Sequence, residues 1–149
     1  MQELDLMVKN LTTLFSINPD FQDIRFITAF TAADKASPLN RPTVAFSVKK
    51  MEEKDVTPVY TKVDEEAGEI PELLYNHTTF VRLRVDIHVP QTTDGVVCYE
   101  IYQRLSRVIM DNTFNIPFVG VGCEELRYDR DMGAFTLYTY MDLYEETVV

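Results

Sequence analysis

The amino-acid sequence predicts an α+β fold: one mostly antiparallel or mixed sheet with two main helices packed on one face, forming a single domain over residues 1–149. Three observations lead there. Two segments place apolar residues at helical spacing, and several others alternate apolar and polar residues with period two. Their order along the chain is helix, strand, strand, acidic excursion, strand, helix, strand, strand, which most simply makes one sheet with both helices on one side. Finally, 149 residues with 46% hydrophobic content fill one sizeable core, whereas two domains would be cramped.

The first segment places Leu4, Met7, Leu11, Leu14 and Phe15 on one stripe of an amphipathic helix that closes at Ser16 to Pro19. Ile24 to Phe30 reads as a strand with Ile24, Phe26, Thr28 and Phe30 on one face, followed by a loop punctuated by Ser37-Pro38 and Arg41-Pro42. From Thr43 to Lys50, Val44, Phe46 and Val48 face one way and Thr43, Ala45, Ser47 and Lys49 the other, as in a half-buried antiparallel strand. Residues 51–76 show only weak periodicity and read as an extended hairpin, loop or arm, with Pro58 suited to a sheet edge.

The clearest strand runs from Phe80 to Val89. Val81, Leu83, Val85, Ile87 and Val89 form its core face, and Arg82, Arg84, Asp86 and His88 its polar face. A second helix carries Val97, Cys98, Ile101, Leu105, Val108 and Ile109 on one side, with Asp94 placed to cap it and Glu100 four residues ahead of Arg104. A hairpin closes the chain: Val119 to Tyr128, a turn through Asp129 to Gly133, then Ala134 to Tyr144 with Phe135, Leu137, Met141 and Leu143 alternating.

The 14 Lys and Arg against 24 Asp and Glu leave a formal charge of −10, which repels phosphate backbones and anionic membranes, so direct nucleic-acid recognition is not expected. The acidity is concentrated. Residues 51–76 hold Glu52, Glu53, Asp55, Asp64, Glu65, Glu66, Glu69 and Glu72 against Lys54 and Lys62, a net −6. Cys98 and Cys123 match no zinc spacing and no disulfide framework. The start of the chain lacks the basic and apolar regions of a signal peptide, and no apolar run approaches the roughly 20 residues that span a bilayer. A soluble chain made in a reducing compartment is the expectation.

No cofactor, metal or catalytic motif is expected. His88 shares a strand face with Asp86 and Arg84, but no nucleophile or second ligand accompanies it. The paired acids Glu52-Glu53, Glu65-Glu66, Glu124-Glu125 and Glu145-Glu146 lack the fixed offsets of a calcium loop. Gly120-x-Gly122 is followed by β character rather than a phosphate-cradling helix, so its glycines are expected to relieve crowding or allow a bulge. Tyr138, Tyr140 and Tyr144 share one side of the last strand, and Arg82 and Arg84 are placed to lie beside them. A solvated face and a protein contact are both open readings of that arrangement. Lys49 and Lys50 are positioned to meet the acidic excursion of a neighbouring copy in a salt-sensitive contact.

Taken together, the amino-terminal helix, Arg41-Pro42-Thr43-Val44-Ala45-Phe46 in a strand, the arginine-bearing strand, the helix Tyr99-Glu100-Ile101-Tyr102-Gln103-Arg104-Leu105 and the tyrosine-rich hairpin resemble the tail terminator or tail-completion proteins of tailed bacteriophages and phage-tail-like particles. The resemblance spans nearly the whole chain and rests on element order and texture. It implies a non-enzymatic virion protein, made in the host cytoplasm, that forms a homo-hexameric ring on the tail tube and ends its polymerisation. Its implied partners are the tube protein, a neck or head-tail connector protein and, in a contractile tail, the sheath. It also implies ring contacts among Lys49, Lys50, Glu52, Glu53, Asp55, Glu65, Glu66, Arg82, Arg84, Tyr138 and Tyr140. A neck or baseplate adaptor, and a small-ligand-binding regulatory domain, are the alternatives.

Overall fold

The structure, a computed structural model, describes residues 2–28, 39–60, 68, 73–111, 113 and 116–148; for residues 2–7, 54–60, 73–77 and 146–148 it describes the backbone only. Among the described residues, two α-helices, α1 (Gln2–Ile17) and α2 (Val97–Met110), accompany five strands: β1 (Arg25–Ile27), β2 (Thr43–Tyr60), β3 (Leu73–Pro90), β4 (Phe118–Asp129) and β5 (Ala134–Val148). The strands form one mixed sheet in the order β1-β2-β3-β5-β4. Among the described residues, only the β1–β2 pair is parallel.

Period-two alternation in three neighbouring strands builds the core. Pairing aligns Val44 with Ile87 and Ile87 with Leu137, then Phe46 with Val85 and Val85 with Thr139, so one face of the sheet is apolar across its width. The helices lie on that face. From α1 come Val8, Leu11 and Phe15, from α2 come Cys98, Ile101, Leu105 and Ile109, and all join one cluster with the strands. Phe15 stacks on Phe26 and Phe46 with ring centroids 5.4 and 5.7 Å away, which ties α1 to β1 and β2. Of the residues expected on the α1 stripe, Leu11 and Phe15 are buried and Leu14 is half-buried, while the side chains of Leu4 and Met7 lie outside those described.

A second tie joins α2 to the 3-10 turn after α1. Arg104 donates to both carboxylate oxygens of Asp23 and to the Asp20 carbonyl, with its guanidinium 5.0 Å from the Phe21 ring centroid. This differs from the expected Glu100–Arg104 pairing along the helix. The turn offers a carboxylate, a carbonyl and an aromatic face together, and the hydrogen bond from Arg104 holds the Asp23 carboxyl below the usual carboxylate range. Asp94, expected to cap α2, sits two residues ahead of the N-cap position, which Val96 occupies without a side-chain cap; its Oδ1 instead accepts from the Val96 N–H at 3.0 Å and fixes the preceding turn.

Four strands differ from their expected extents by more than one residue. β1 is limited to Arg25–Ile27, with Thr28 exposed and Phe30 outside the described residues. β2 and β3 are far longer than expected, because the weakly periodic acidic stretch pairs as a hairpin extension, Met51 opposite Val81 and Tyr60 opposite Leu73. β5 accompanies β3 to Asn76 opposite Val148. This extension passes beyond the helices, so Val48, expected in the core, is 40% exposed although it points to the core side. A register shift between Val48 and Lys50 makes Lys49 an extra, bulged residue. The opposite face also departs from the expected polar surface: Thr43, His88 and Thr136, aligned across three strands, are all buried.

The core and its extension have different stability consequences. Phe46→Ala removes a fully buried ring and is expected to cost about 3–5 kcal/mol, whereas Val48→Ala is expected to stay within about 0.5 kcal/mol of the parent protein. Urea denaturation of both variants measures the contrast.

Candidate functional site

The sheet face turned away from the helices brings together the Arg and Tyr positions of the sequence. Antiparallel pairing places Arg82 opposite Asp142, Arg84 opposite Tyr140 and Asp86 opposite Tyr138. Arg82 donates from Nε to Asp142 Oδ1 at 2.8 Å and from Nη2 to Oδ2 at 2.9 Å, while its guanidinium carbon sits 4.3 Å from the Tyr140 ring centroid. Arg84 repeats the arrangement one row along, donating from Nε to Asp86 Oδ1 at 2.8 Å and lying 4.5 Å from the Tyr138 centroid. A planar guanidinium offers its edge to a carboxylate and its face to a ring, which an ammonium group does not. Hydrogen bonding to the carboxylate raises the proton affinity of both arginines.

Gly122 provides the floor for Tyr140. The two residues are register partners, and a Cβ on Gly122 would stand 2.3 Å from the Tyr140 hydroxyl oxygen and 2.4 Å from the adjoining ring carbon. The missing side chain therefore lets the ring lie flat on β4 while Arg82 stacks over it. The sequence pattern marked this glycine as relieving crowding, and the structure identifies what is crowded. A register shift between Phe118 and Gly120 adds the expected irregularity at the start of β4.

Beside this ladder lies a groove of about 240 Å³ lined by Lys49, Arg84, Glu124, Arg127, Tyr138 and Tyr140. Lys49 Nζ is 3.3 Å from Glu124 Oε1, with both side chains about half exposed. Lys50 Nζ reaches Glu52 Oε1 at 2.9 Å within its own strand. Glu52 and Glu53 are exposed where β2 leaves the core, and Asp55 is paired through its backbone to His77. Glu65 and Glu66 lie outside the described residues. Asp142 and Arg127 were not singled out in the sequence, and Glu124 only as half of the acidic pair Glu124-Glu125. Asp142 was available from period two, being two residues beyond Tyr140, whereas Glu124 and Arg127 straddle a register irregularity that no simple alternation shows.

His88 is only 3% exposed, and its Nδ1 lies 2.8 Å from Thr136 Oγ1. Asp86 meanwhile binds Arg84. That burial removes His88 from the solvent-facing position expected of it, because the Thr43–His88–Thr136 row lies at the covered end of the face. Among the described residues, no three His, Cys, Asp or Glu side chains converge to hold a metal ion, and no helix is long and apolar enough to cross a membrane. Cys123 is exposed and Cys98 is buried, with its Sγ facing the Ile87 and Phe135 carbonyls.

On the helix side, a larger apolar groove of about 650 Å³ lies between the end of α2 and the start of β4, with Ile109, Met110, Ile116, Phe118, Val119 and Val121 in its walls. No family model matches the chain, and no curated protein sequence matches it.

Two measurements follow from these contacts. Gly122→Ala is expected to destabilise the protein by about 1–3 kcal/mol through overpacking, and Tyr140→Ala in the same chain is expected to remove most of that penalty, read as coupling in a double-mutant cycle of denaturation free energies. Burial pushes the Cys98 thiol up to about 11 from 9.0. The folded state therefore holds this proton more tightly, and the resulting stability is complete below pH 9.0 and lost as pH rises toward about 11. At neutral pH a disulfide reagent is expected to label Cys123 quickly and Cys98 only on unfolding.

Proposed function

We propose that this chain is a structural, non-enzymatic tail terminator of a phage or tail-like particle, which caps the tail tube as a homo-hexameric ring, ends its polymerisation and joins it to the neck. The observation that carries the reading is the extension of β2, β3 and β5 past both helices. From Met51 to Tyr60, β2 continues for about 30 Å at ~3.3 Å per residue, paired to β3 throughout apart from a register irregularity between Asp55 and Pro58. Near its base it exposes Met51, Glu52, Glu53, Tyr144 and Glu145. A sheet extension that leaves Met51 and Tyr144 exposed, with no described helix over them, gains its apolar burial from another molecule under this reading.

Ring formation by a repeated head-to-tail contact requires two different patches on each subunit. The sheet offers them: β4 forms one edge, and among the described residues β2 forms the other beyond Ala45, where β1 ends. The tube protein, the neck or head-tail connector and, in a contractile tail, the sheath would meet the remaining ring surfaces. The location under this reading is the tail-neck region of the virion.

Replacing residues 56–76 by Asn-Gly closes the hairpin next to the Asp55–His77 pair. The variant is expected to keep its fold by circular dichroism but to lose the hexamer in native mass spectrometry. In particles assembled without the gene, electron microscopy is expected to find tails of uncontrolled length, and tails of normal length overturn the proposal. The apolar groove beside α2 favours a second reading, a small-ligand-binding domain, which a co-purifying apolar metabolite in the native mass spectrum would support.

A further inference from the structure

We propose that the cationic groove on the far face of the sheet receives the acidic β2–β3 extension of a second copy of this chain. The inference deepens the ring reading and rests on it. Three cations, Lys49, Arg84 and Arg127, line the groove; Arg84 is held by Asp86 and Lys49 meets Glu124, which leaves Arg127 as the positive excess in a protein whose overall charge is −10. Arg127 has no acidic partner among the described residues, and Lys49 holds Glu124 only through a half-exposed pair at 3.3 Å. Exposed pairs of this kind contribute about 0–1 kcal/mol, so an incoming carboxylate exchanges with Glu124 at little cost. The hydroxyls of Tyr138 and Tyr140 add hydrogen-bond donors to the same surface.

The complementary charge is on the same chain, in residues 51–76 with their net −6. Its own groove is out of reach. β2 leaves the groove at Lys49 and runs outward as a strand to Tyr60, about 36 Å at ~3.3 Å per residue, and its backbone is held there by pairing to β3. Of the nearby acids, Glu52 is drawn to Lys50 instead. A groove of about 240 Å³ admits side chains of an extended segment rather than a folded surface. Groove and extension are different patches, so each copy donates one and accepts with the other, and the contact propagates around a ring instead of closing as a two-fold pair.

Two full-length charge-reversal variants test this contact: Lys49→Glu with Arg127→Glu in the groove, and Glu52→Lys with Glu53→Lys on the extension. At low salt each variant alone is expected to self-associate at least about tenfold more weakly than the parent protein, with unchanged thermal melting. An equimolar mixture is expected to restore assembly, because each reversed groove then meets a reversed extension. Native mass spectrometry of the mixture reads alternating mixed oligomers. Rings of parental strength in the groove variant alone overturn the proposal and leave the ring reading standing. Rings that form normally but no longer cap tails overturn it as well, by assigning the groove to another acidic partner. A parent protein that stays monomeric at every concentration and on the tail overturns both.

Discussion

The backbone register along β3 sets every surface of this protein. β3 pairs with β2 on one side and β5 on the other over most of its length, and its side chains alternate without a break from Val81 to Val89. A slip of one residue would turn Leu83, Val85 and Ile87 outward and bury Arg82 and Arg84. The same alignment that assembles the core therefore also assembles the Arg–Tyr ladder behind it. Packing of the helices on one face and guanidinium stacking on the other are two consequences of one hydrogen-bonded pattern.

The sheet is used unevenly along its length. Near Val44, Ile87 and Leu137 it is a domain core, covered by α1 and α2. Beyond Phe46, Val81 and Leu143 the strands continue with no described helix over them, and Met51, Glu52, Glu53, Tyr144 and Glu145 are exposed. The bulge at Lys49 lies at the boundary, where it shifts register and sends an ammonium group toward Glu124 across the far face. The acidic extension and the groove lined by Lys49, Arg84 and Arg127 occupy adjoining parts of one sheet.

Much of this was legible from residue pattern. The order of elements, the core faces of β3 and β5 and the crowding role of Gly122 follow from period, turn chemistry and the absence of a Cβ, all of which act locally. The far face was less legible. His88 was expected among polar, solvent-facing residues yet is buried, since alternation states which side a residue takes and not what covers that side. Arg104 likewise left its helical neighbour for Asp23, a partner 81 residues away that no local spacing reveals.

By itself, the sequence determined a single sheet with helices on one side, an acidic charge concentrated in residues 51–76, and Arg and Tyr side chains on one strand face. These are properties of the chain's own periodicity and composition. Only the tertiary structure decided that residues 51–60 and 73–76 pair as extensions of β2 and β3, that Asp142 clamps Arg82, and that Arg127 and Lys49 share a groove. Each depends on strand register between segments distant in sequence, which is set by the collective fit of the core rather than by any one residue's preference.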